Sequence, residues 1–339
     1  MWIWQNRDAW GIDNLMQVDS AAPVQPQAGQ VKLRMLAAAV NYRDLVTVTN
    51  KTPFGALPQI PFSDGCGEVI AIGEGVTRVA LGDRVCPSFF PGWVDGPPTA
   101  ANRAVSLGSA SHAGVLQAEM LLLAEHVSKA PVSLTPVAAA TLPCAGLTAW
   151  RAVTIEGQVT RGDVVVVQGT GGVSIFALQF AKMLGATVIV TSSSDEKLAR
   201  AGALGADHLI NYRKTPEWGK AVLDLTGGNG ADLVVEVGGA GTINQSLGCA
   251  AVGGHILVIG VLGGRSQEML MPAIFGKNLR IIGISVGSRQ MFDDMVAAIN
   301  THGISPVIDH VYGYGEVPDA LHAMESAGHF GKLAIDFLT

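Results

Sequence analysis

The segment Val164-Val165-Val166-Val167-Gln168-Gly169-Thr170-Gly171-Gly172-Val173-Ser174, running on into Ile175-Phe176-Ala177-Leu178-Gln179-Phe180-Ala181-Lys182, constrains the fold more than any other part of the chain. Four consecutive valines suit a parallel strand covered on both faces, where the apolar pattern is continuous rather than alternating. The glycines let the backbone approach a pyrophosphate, and a helix opening near Val173 aims its unpaired N–H groups and positive dipole end at that anion. Glycine supplies 42 of the 339 residues, so such a turn is weak evidence by itself, and Ser174 replaces the third glycine of the G-x-G-x-x-G spacing. The next unit decides the matter. After a helix over 173–184, Gly185-Ala186 turns the chain and Thr187-Val188-Ile189-Val190-Thr191 reads as a second β-branched strand, a βαβ unit of roughly 30 residues. Gly169, Thr170, Gly171, Gly172 and Val173 are the candidate pyrophosphate contacts.

The tip of that second strand selects the nucleotide. In NAD-selective folds an acid there accepts hydrogen bonds from the ribose hydroxyls, but this strand ends in Thr191-Ser192-Ser193-Ser194. A carboxylate would repel the 2′-phosphate of NADP, whereas Ser192 and Ser193 offer hydroxyls to it and Lys197 offers a charge. NADPH is the expected cofactor, and a serine tip leaves NADH open. The same serines also suit the cap of a helix beginning near Asp195.

At 339 residues the chain exceeds the roughly 250–300 at which a single core stops growing, so two domains are expected. A net charge of −6 with no basic cluster argues against nucleic acid as a partner. Cys66, Cys86, Cys144 and Cys249 show no close pairing, which fits a reducing cytoplasm rather than a disulfide framework. The stretch Met1-Trp2-Ile3-Trp4-Gln5-Asn6-Arg7-Asp8 does not read as a signal peptide. No run reaches the roughly 18 apolar residues of a membrane span, so no membrane role is expected.

Residues 1–127 carry short alternating segments broken by Gly and Pro, such as Val31-Lys32-Leu33-Arg34-Met35, and read as mostly antiparallel β structure. Over 128–286, apolar strands at 164–168, 187–191, 207–210, 232–237, 256–260 and 280–286 alternate with helical patterns, which describes a doubly wound sheet. The tail, 287–339, offers a helix near 289–302, a strand at 307–312, a helix near 316–326 and a closing strand at 332–335, and is expected to rejoin the first domain. The irregular stretch 88–114 is the longest candidate for a mobile loop. The fold class is α/β.

Several blocks in fixed order carry a resemblance: Asn41-Tyr42-Arg43-Asp44, Pro61-Phe62-Ser63-Asp64-Gly65-Cys66-Gly67-Glu68-Val69, Gly73-Glu74-Gly75-Val76, Gly82-Asp83-Arg84-Val85, Leu142-Pro143-Cys144-Ala145-Gly146-Leu147-Thr148-Ala149-Trp150, the glycine turn, and Ala203-Leu204-Gly205-Ala206-Asp207. Over nearly its whole length the chain resembles the medium-chain dehydrogenase/reductase superfamily, in the zinc-independent branch similar to quinone oxidoreductases. The resemblance implies a GroES-like, mostly-β catalytic domain, a Rossmann dinucleotide-binding domain, and a cleft between them for nicotinamide and substrate. Zinc-dependent alcohol dehydrogenases of the superfamily place Cys where this chain has Asn41, His where it has Ser63, Glu where it has Asp64, and Cys or Asp near Cys144. Only Cys144 is retained. Asn41 and Ser63 are not zinc ligands, the four closely spaced cysteines of a structural-zinc lobe are missing, and none of the eight histidines forms an H-x-x-x-H pair, so no zinc is expected.

Without a Lewis acid, a substrate carbonyl must be polarised by hydrogen bonds alone, which suits an already electrophilic acceptor such as a quinone or an α,β-unsaturated carbonyl. The candidates for holding the oxygen that collects charge are Asn41, through its amide, and Tyr42, through its hydroxyl, with Ser63 and Asp64 completing the catalytic set. Tyr42 equally suits packing beneath the cofactor. Arg43 and Asp44 read as a pair that orients the turn. By resemblance, Lys197 and Tyr212 contact the 2′-phosphate; Thr148, Val237, Gly238, Ile259 and Gly260 contact the cofactor; and Lys332 lies near its adenosine end. Substrate size rests on 88–114 and on residues near 263–275. By resemblance the assembly is a homodimer through the Rossmann sheet edge near 279–286, where Leu279-Arg280-Ile281-Ile282-Gly283-Ile284 would otherwise leave an apolar edge bare. Two alternatives stay open: an NAD(P)-dependent alcohol or aldehyde dehydrogenase, and an NADPH-binding protein with little turnover.

Overall fold

The four valines form a strand closed off from water: Val165, Val166 and Val167 have no exposed surface. The structure, a computed structural model, describes residues 1–51, 56–110, 112–264 and 266–339; Ser111, within 88–114, and Arg265, within 263–275, lie outside the described residues. Residues Thr148–Ser285 make one compact unit. Its six parallel strands lie in the order His208–Asn211, Thr187–Ser192, Val164–Gln168, Ala231–Glu236, Ala250–Val258, Arg280–Gly283. Counted along the chain that order is 3-2-1-4-5-6, the Rossmann arrangement, whose reversal beside the first strand opens a crevice at the strand C-termini. The fifth strand begins at Ala250, earlier than its apolar run suggests, and the sixth stops at Gly283. The first helix, Gly172–Leu184, ends on Gly185 at φ 84, the left-handed conformation that lets glycine close a helix.

The other unit joins Met1–Leu147 to Val286–Thr339. The tail therefore rejoins the first domain, but the first boundary falls after Leu147 rather than near 127. The reason is polar fastening: Cys86 Sγ donates to Ala139 O at 3.5 Å and the Cys144 N–H donates to Asp64 Oδ2 at 2.9 Å, holding 139–144 to the sheet. That sheet runs in the order Ile308–Gly313, Lys332–Asp336, Gln30–Val40, Asp64–Ile72, Arg84–Pro87, Val127–Lys129, with Glu119–Leu123 also paired to Gln30–Val40. Every pairing is antiparallel except that of Ile308–Gly313 with Lys332–Asp336. The core beneath it includes Val31, Leu33, Val69, Val85, Leu107, Leu321 and Ile335, all 2% exposed or less.

The described residues of 88–114 form no helix or strand, and part of the stretch is packed into the core. Trp93 and Leu107 are fully buried, and Arg43 clasps the segment by donating to Leu107 O at 2.8 Å and Ser106 Oγ at 3.2 Å. Among the described residues no helix is long and apolar enough to cross a membrane.

Gly114 shows how closely this stretch presses on the segment that leads to Ser63 and Asp64. A Cβ there would lie 2.0 Å from Pro61 O and 2.3 Å from Phe62 O. Phe62 is itself left-handed at φ 72, a conformation that costs a non-glycine residue on the order of 1 kcal/mol. Gly114→Ala is expected to destabilise the chain by about 2 kcal/mol or more, read as a lowered urea midpoint. An unchanged midpoint would mean that the Pro61–Phe62 backbone yields freely.

Candidate active site

Register brings the first group of candidates to one end of the antiparallel sheet. Leu333 pairs with Val40, and Ala39 pairs with Asp64, so Lys332, Asn41 and Ser63-Asp64 emerge side by side from three neighbouring strands. The helix Tyr42–Val48 starts at this point, with Asn41 at its N-cap. Asp44, in the first turn, reaches back and accepts the Asn41 N–H at 2.9 Å, which satisfies a backbone donor that the helix cannot. Lys332 Nζ donates to Asn41 Oδ1 and to Val40 O, each at 2.6 Å. Ser63 Oγ donates to Asp64 Oδ1 at 2.7 Å, and the Cys144 N–H takes the other carboxylate oxygen. Asp44, Ser63 and Asp64 are wholly buried and Lys332 nearly so, whereas Tyr42 stands half-exposed beside them.

Burial governs the charges. It lifts the Asp44 carboxyl to about 6, with the Arg43 guanidinium pulling the other way and Asp64 adding to the rise. The Asp64 carboxyl is likewise raised by burial, against the pull of Lys332, the Ser63 hydroxyl, Asn41 and the Cys144 N–H. Burial draws the Lys332 ammonium below the ordinary lysine range, and Asp64 and Asp44 oppose that loss. Burial also pushes the Cys144 thiol well up, with Asp64 next in effect. Arg43 pairs with Asp44 at 3.3 Å as the sequence suggests, and lies over the Phe89 ring at 5.2 Å.

The second group lies at the C-terminal ends of the parallel strands. Gly169, at φ 70, turns the chain out of its strand, and Gly171 caps the helix Gly172–Leu184. A Cβ on Gly171 would meet no protein atom within 4 Å, so open space stands above the cap where an anion approaches helix N–H groups. Ser174, in place of the third glycine, donates to Gln168 O at 2.7 Å and ties the helix back to the strand. Ser192 ends its strand and accepts the Ser194 N–H at 3.3 Å; Ser194 caps the helix Asp195–Ala203 through the Lys197 N–H. Tyr212 is partly exposed and donates its N–H to Ser192 O at 3.1 Å. Ser193 follows Ser192 at that tip, while Val237-Gly238 and Ile259-Gly260 follow two more strand ends. Thr148 is buried on the short helix Leu147–Trp150.

Lys332, a cofactor candidate by resemblance, belongs to the first unit. The antiparallel pairing of its strand with Gln30–Val40 carries the ammonium to Asn41 inside the first unit. Sequence reasoning also passed over Glu236, which is fully buried where its strand ends. Its Oε1 accepts from the Gly238 N–H at 2.8 Å, the Gly239 N–H at 2.9 Å and Thr242 Oγ1 at 2.5 Å; Oε2 accepts from Gln168 Nε2 at 2.7 Å and from Ser246 Oγ. One carboxylate therefore joins the glycine-turn strand to the 237–241 turn. The signal was available: an acid closing the apolar run Leu233-Val234-Val235 is out of place unless donors surround it.

Asp44 makes a pH-dependent contribution of definite sign. Its carboxyl titrates near 6 when folded and near 3.8 when unfolded, so the folded chain resists ionisation that the unfolded chain accepts. Stability from this group is full below about pH 4 and is lost as pH rises through 6, a change on the order of 3 kcal/mol. The melting temperature of Asp44→Asn should accordingly gain on wild type between pH 4 and 7. A gap that does not vary with pH would show that Asp44 ionises alike in both states.

Relatives agree with this construction. Residues 27–132 match the family described as alcohol dehydrogenase GroES-like domain, and residues 172–301 match that described as zinc-binding dehydrogenase. A zinc-type alcohol dehydrogenase-like protein of Schizosaccharomyces pombe is 41% identical over 332 residues, spanning 96% of this chain and 96% of its own. The crystal structure of an NAD-dependent alcohol dehydrogenase superposes with a TM-score of 0.90 at 31% identity, covering 99% of each chain. A cobalt- and zinc-bound thermostable alcohol dehydrogenase from Pyrobaculum aerophilum superposes at 0.85 with 26% identity, again over 99% of each chain. With a GroES-like sheet, a Rossmann sheet and relatives matched from end to end, the chain is an oxidoreductase that belongs to the medium-chain dehydrogenase/reductase superfamily.

Proposed function

We propose that the chain is a zinc-independent, NADPH-dependent reductase that passes hydride to a quinone or an α,β-unsaturated carbonyl. The observation that carries this is the donor set at the end of the antiparallel sheet. Zinc requires thiolate, imidazole or carboxylate ligands. Here the corresponding groups are an amide whose oxygen is held by an ammonium, a hydroxyl spent on Asp64, a carboxylate hydrogen-bonded at both oxygens, and the single thiol of Cys144. Among the described residues no group of three or more His, Cys, Asp and Glu side chains is arranged to hold a metal ion. These residues do not fit zinc.

The nucleotide half does fit its cofactor. NADPH, when bound, supplies a hydride. Gly169 to Val173 would receive the pyrophosphate at the open helix cap, and Ser192, Ser193, Lys197 and Tyr212 would receive the 2′-phosphate. The nearest acid past the tip, Asp195, is engaged by Asn211 Nδ2 at 2.7 Å and Lys214 Nζ at 2.5 Å, so its charge is already met. Asn41 Nδ2, close enough to Asp64 to help lower its carboxyl but without a partner at full hydrogen-bonding geometry, is the donor assigned to the substrate oxygen as charge collects there. Tyr42, half-exposed, offers the hydroxyl that returns a proton.

The names of the relatives favour a second reading, alcohol or aldehyde oxidoreduction, and an acceptor panel separates the two. NADPH absorbance should fall with quinones or enones, more slowly with NADH, and indifferently to chelator. Ser193→Asp should weaken NADPH about tenfold and leave NADH no weaker, because the new carboxylate repels the 2′-phosphate but can accept hydrogen bonds from the ribose hydroxyls of NADH. Turnover confined to aldehydes and alcohols, or appearing only on addition of zinc, would overturn the proposal; tight NADPH binding without any turnover would favour a binding protein.

The proposal extends to a homodimer in the cytoplasm. All four cysteines are free thiols, which suits a reducing compartment. Arg280–Gly283 is an edge strand, and Leu262, Leu270, Met271 and Phe275 in the same unit are all more than half exposed. An unpaired apolar edge favours pairing with a second copy. Sedimentation velocity at micromolar concentration should return twice the chain mass, and Ile282→Lys should shift it to the monomer; a wild-type monomer would sink the dimer.

A further inference from the structure

The reductase reading leaves Lys332 without a task. Its ammonium is buried, with Val40 O and Asn41 Oδ1 each at 2.6 Å, and Asp64 and Asp44 are the anions that favour its charge. Burying a cation costs several kcal/mol, and a methionine would fill the same channel without that cost. The charge has a specific effect on its neighbour. An ammonium only donates, so the amide atom facing it is the oxygen, and Asn41 Nδ2 is fixed at the opposite end. Nδ2 is buried and leans on Asp64 enough to help lower that carboxyl, but it meets no acceptor at hydrogen-bonding geometry. A cation at Oδ1 also draws electron density from the amide nitrogen and makes Nδ2–H a stronger donor.

We propose that Lys332 is the resident cation of this site. Its ammonium takes the place in the charge balance that a metal ion holds in zinc-dependent alcohol dehydrogenases, and by holding Asn41 Oδ1 it sets Nδ2 as the donor to the substrate oxygen. Lys332 is a positioning residue that acts through Asn41, and this inference rests on the reductase proposal above.

The test uses the full chain. Lys332→Met keeps the stem and removes the charge. It should lower kcat about tenfold to hundredfold with KM for NADPH within about twofold, added zinc should not restore the loss, and Lys332→Arg should retain more of kcat than Lys332→Met. Should Lys332→Met fail to fold, Lys332→Met with Asp64→Asn removes the cation and the anion that most favours it together and is measured in its place. A second readout needs no turnover. Asn41→Ala is made in wild type and in the Lys332 variant, and the losses in melting temperature should sum to more than the loss in the double variant, because each removes the same contact. Additive losses, an unchanged kcat in a folded Lys332→Met, or stoichiometric zinc in the purified wild type would each overturn the inference. If wild type reduces no acceptor while the losses are non-additive, the reductase proposal fails and the coupling of Lys332 to Asn41 stands.

Discussion

The hydrogen bond from Lys332 Nζ to Asn41 Oδ1 joins residues 291 positions apart, and the first unit is organised around the ladder behind it. Leu333 to Asp336 pair with Ala37 to Val40, and Asp64 to Cys66 line the other side of the same strand. Ala37, Ala38 and Ala39 are wholly buried there, small enough to leave room for what packs on both faces. At the end of that strand three buried charges meet, Lys332, Asp64 and Asp44, with Arg43 at the margin. Burial opposes each of these charges, and the opposite charges beside them offset part of that cost.

The Rossmann unit solves a similar problem with one charge and neutral donors. Glu236 ends a strand that is otherwise apolar, and the N–H groups of Gly238 and Gly239, two hydroxyls and the Gln168 amide converge on it. Backbone donors that would be stranded at a tight turn find an acceptor, and the glycine-turn strand and the 237–241 turn are held to a common point. In both units a buried acid at a sheet end shapes the loop beside it: Asp64 takes the Cys144 N–H, and Glu236 takes two glycine N–H groups.

Much of this was legible in the sequence. The valine run, the glycine turn and the βαβ spacing led to a parallel sheet because burial on both faces leaves a continuous apolar pattern, and that pattern is local. The serine tip was legible for the same reason. Lys332 was not. A lysine after Gly331 reads as solvated or, by resemblance, as near the adenosine end of the cofactor, and its burial follows only from pairing with a strand at the far end of the chain. Glu236 was missed because strand periodicity reports which positions are covered and not what covers them. The first boundary lay beyond 127 for a related reason: 139–144 are bound to the first unit by two polar contacts that leave no trace in periodicity.

The place of Lys332–Asp336 in its sheet has a consequence for how the chain is made. This strand is internal, set between Ile308–Gly313 and Gln30–Val40. On the ribosome, residues 37–40 emerge early and keep one edge bare until 332–336 appear, while Thr148–Ser285 is a continuous segment able to close its own sheet in the interval. The nascent chain thus carries a folded nucleotide-binding unit and an unfinished one. The first unit can therefore be completed only after translation has passed residue 332, and until then the flank of Gln30–Val40 lacks its partner strand.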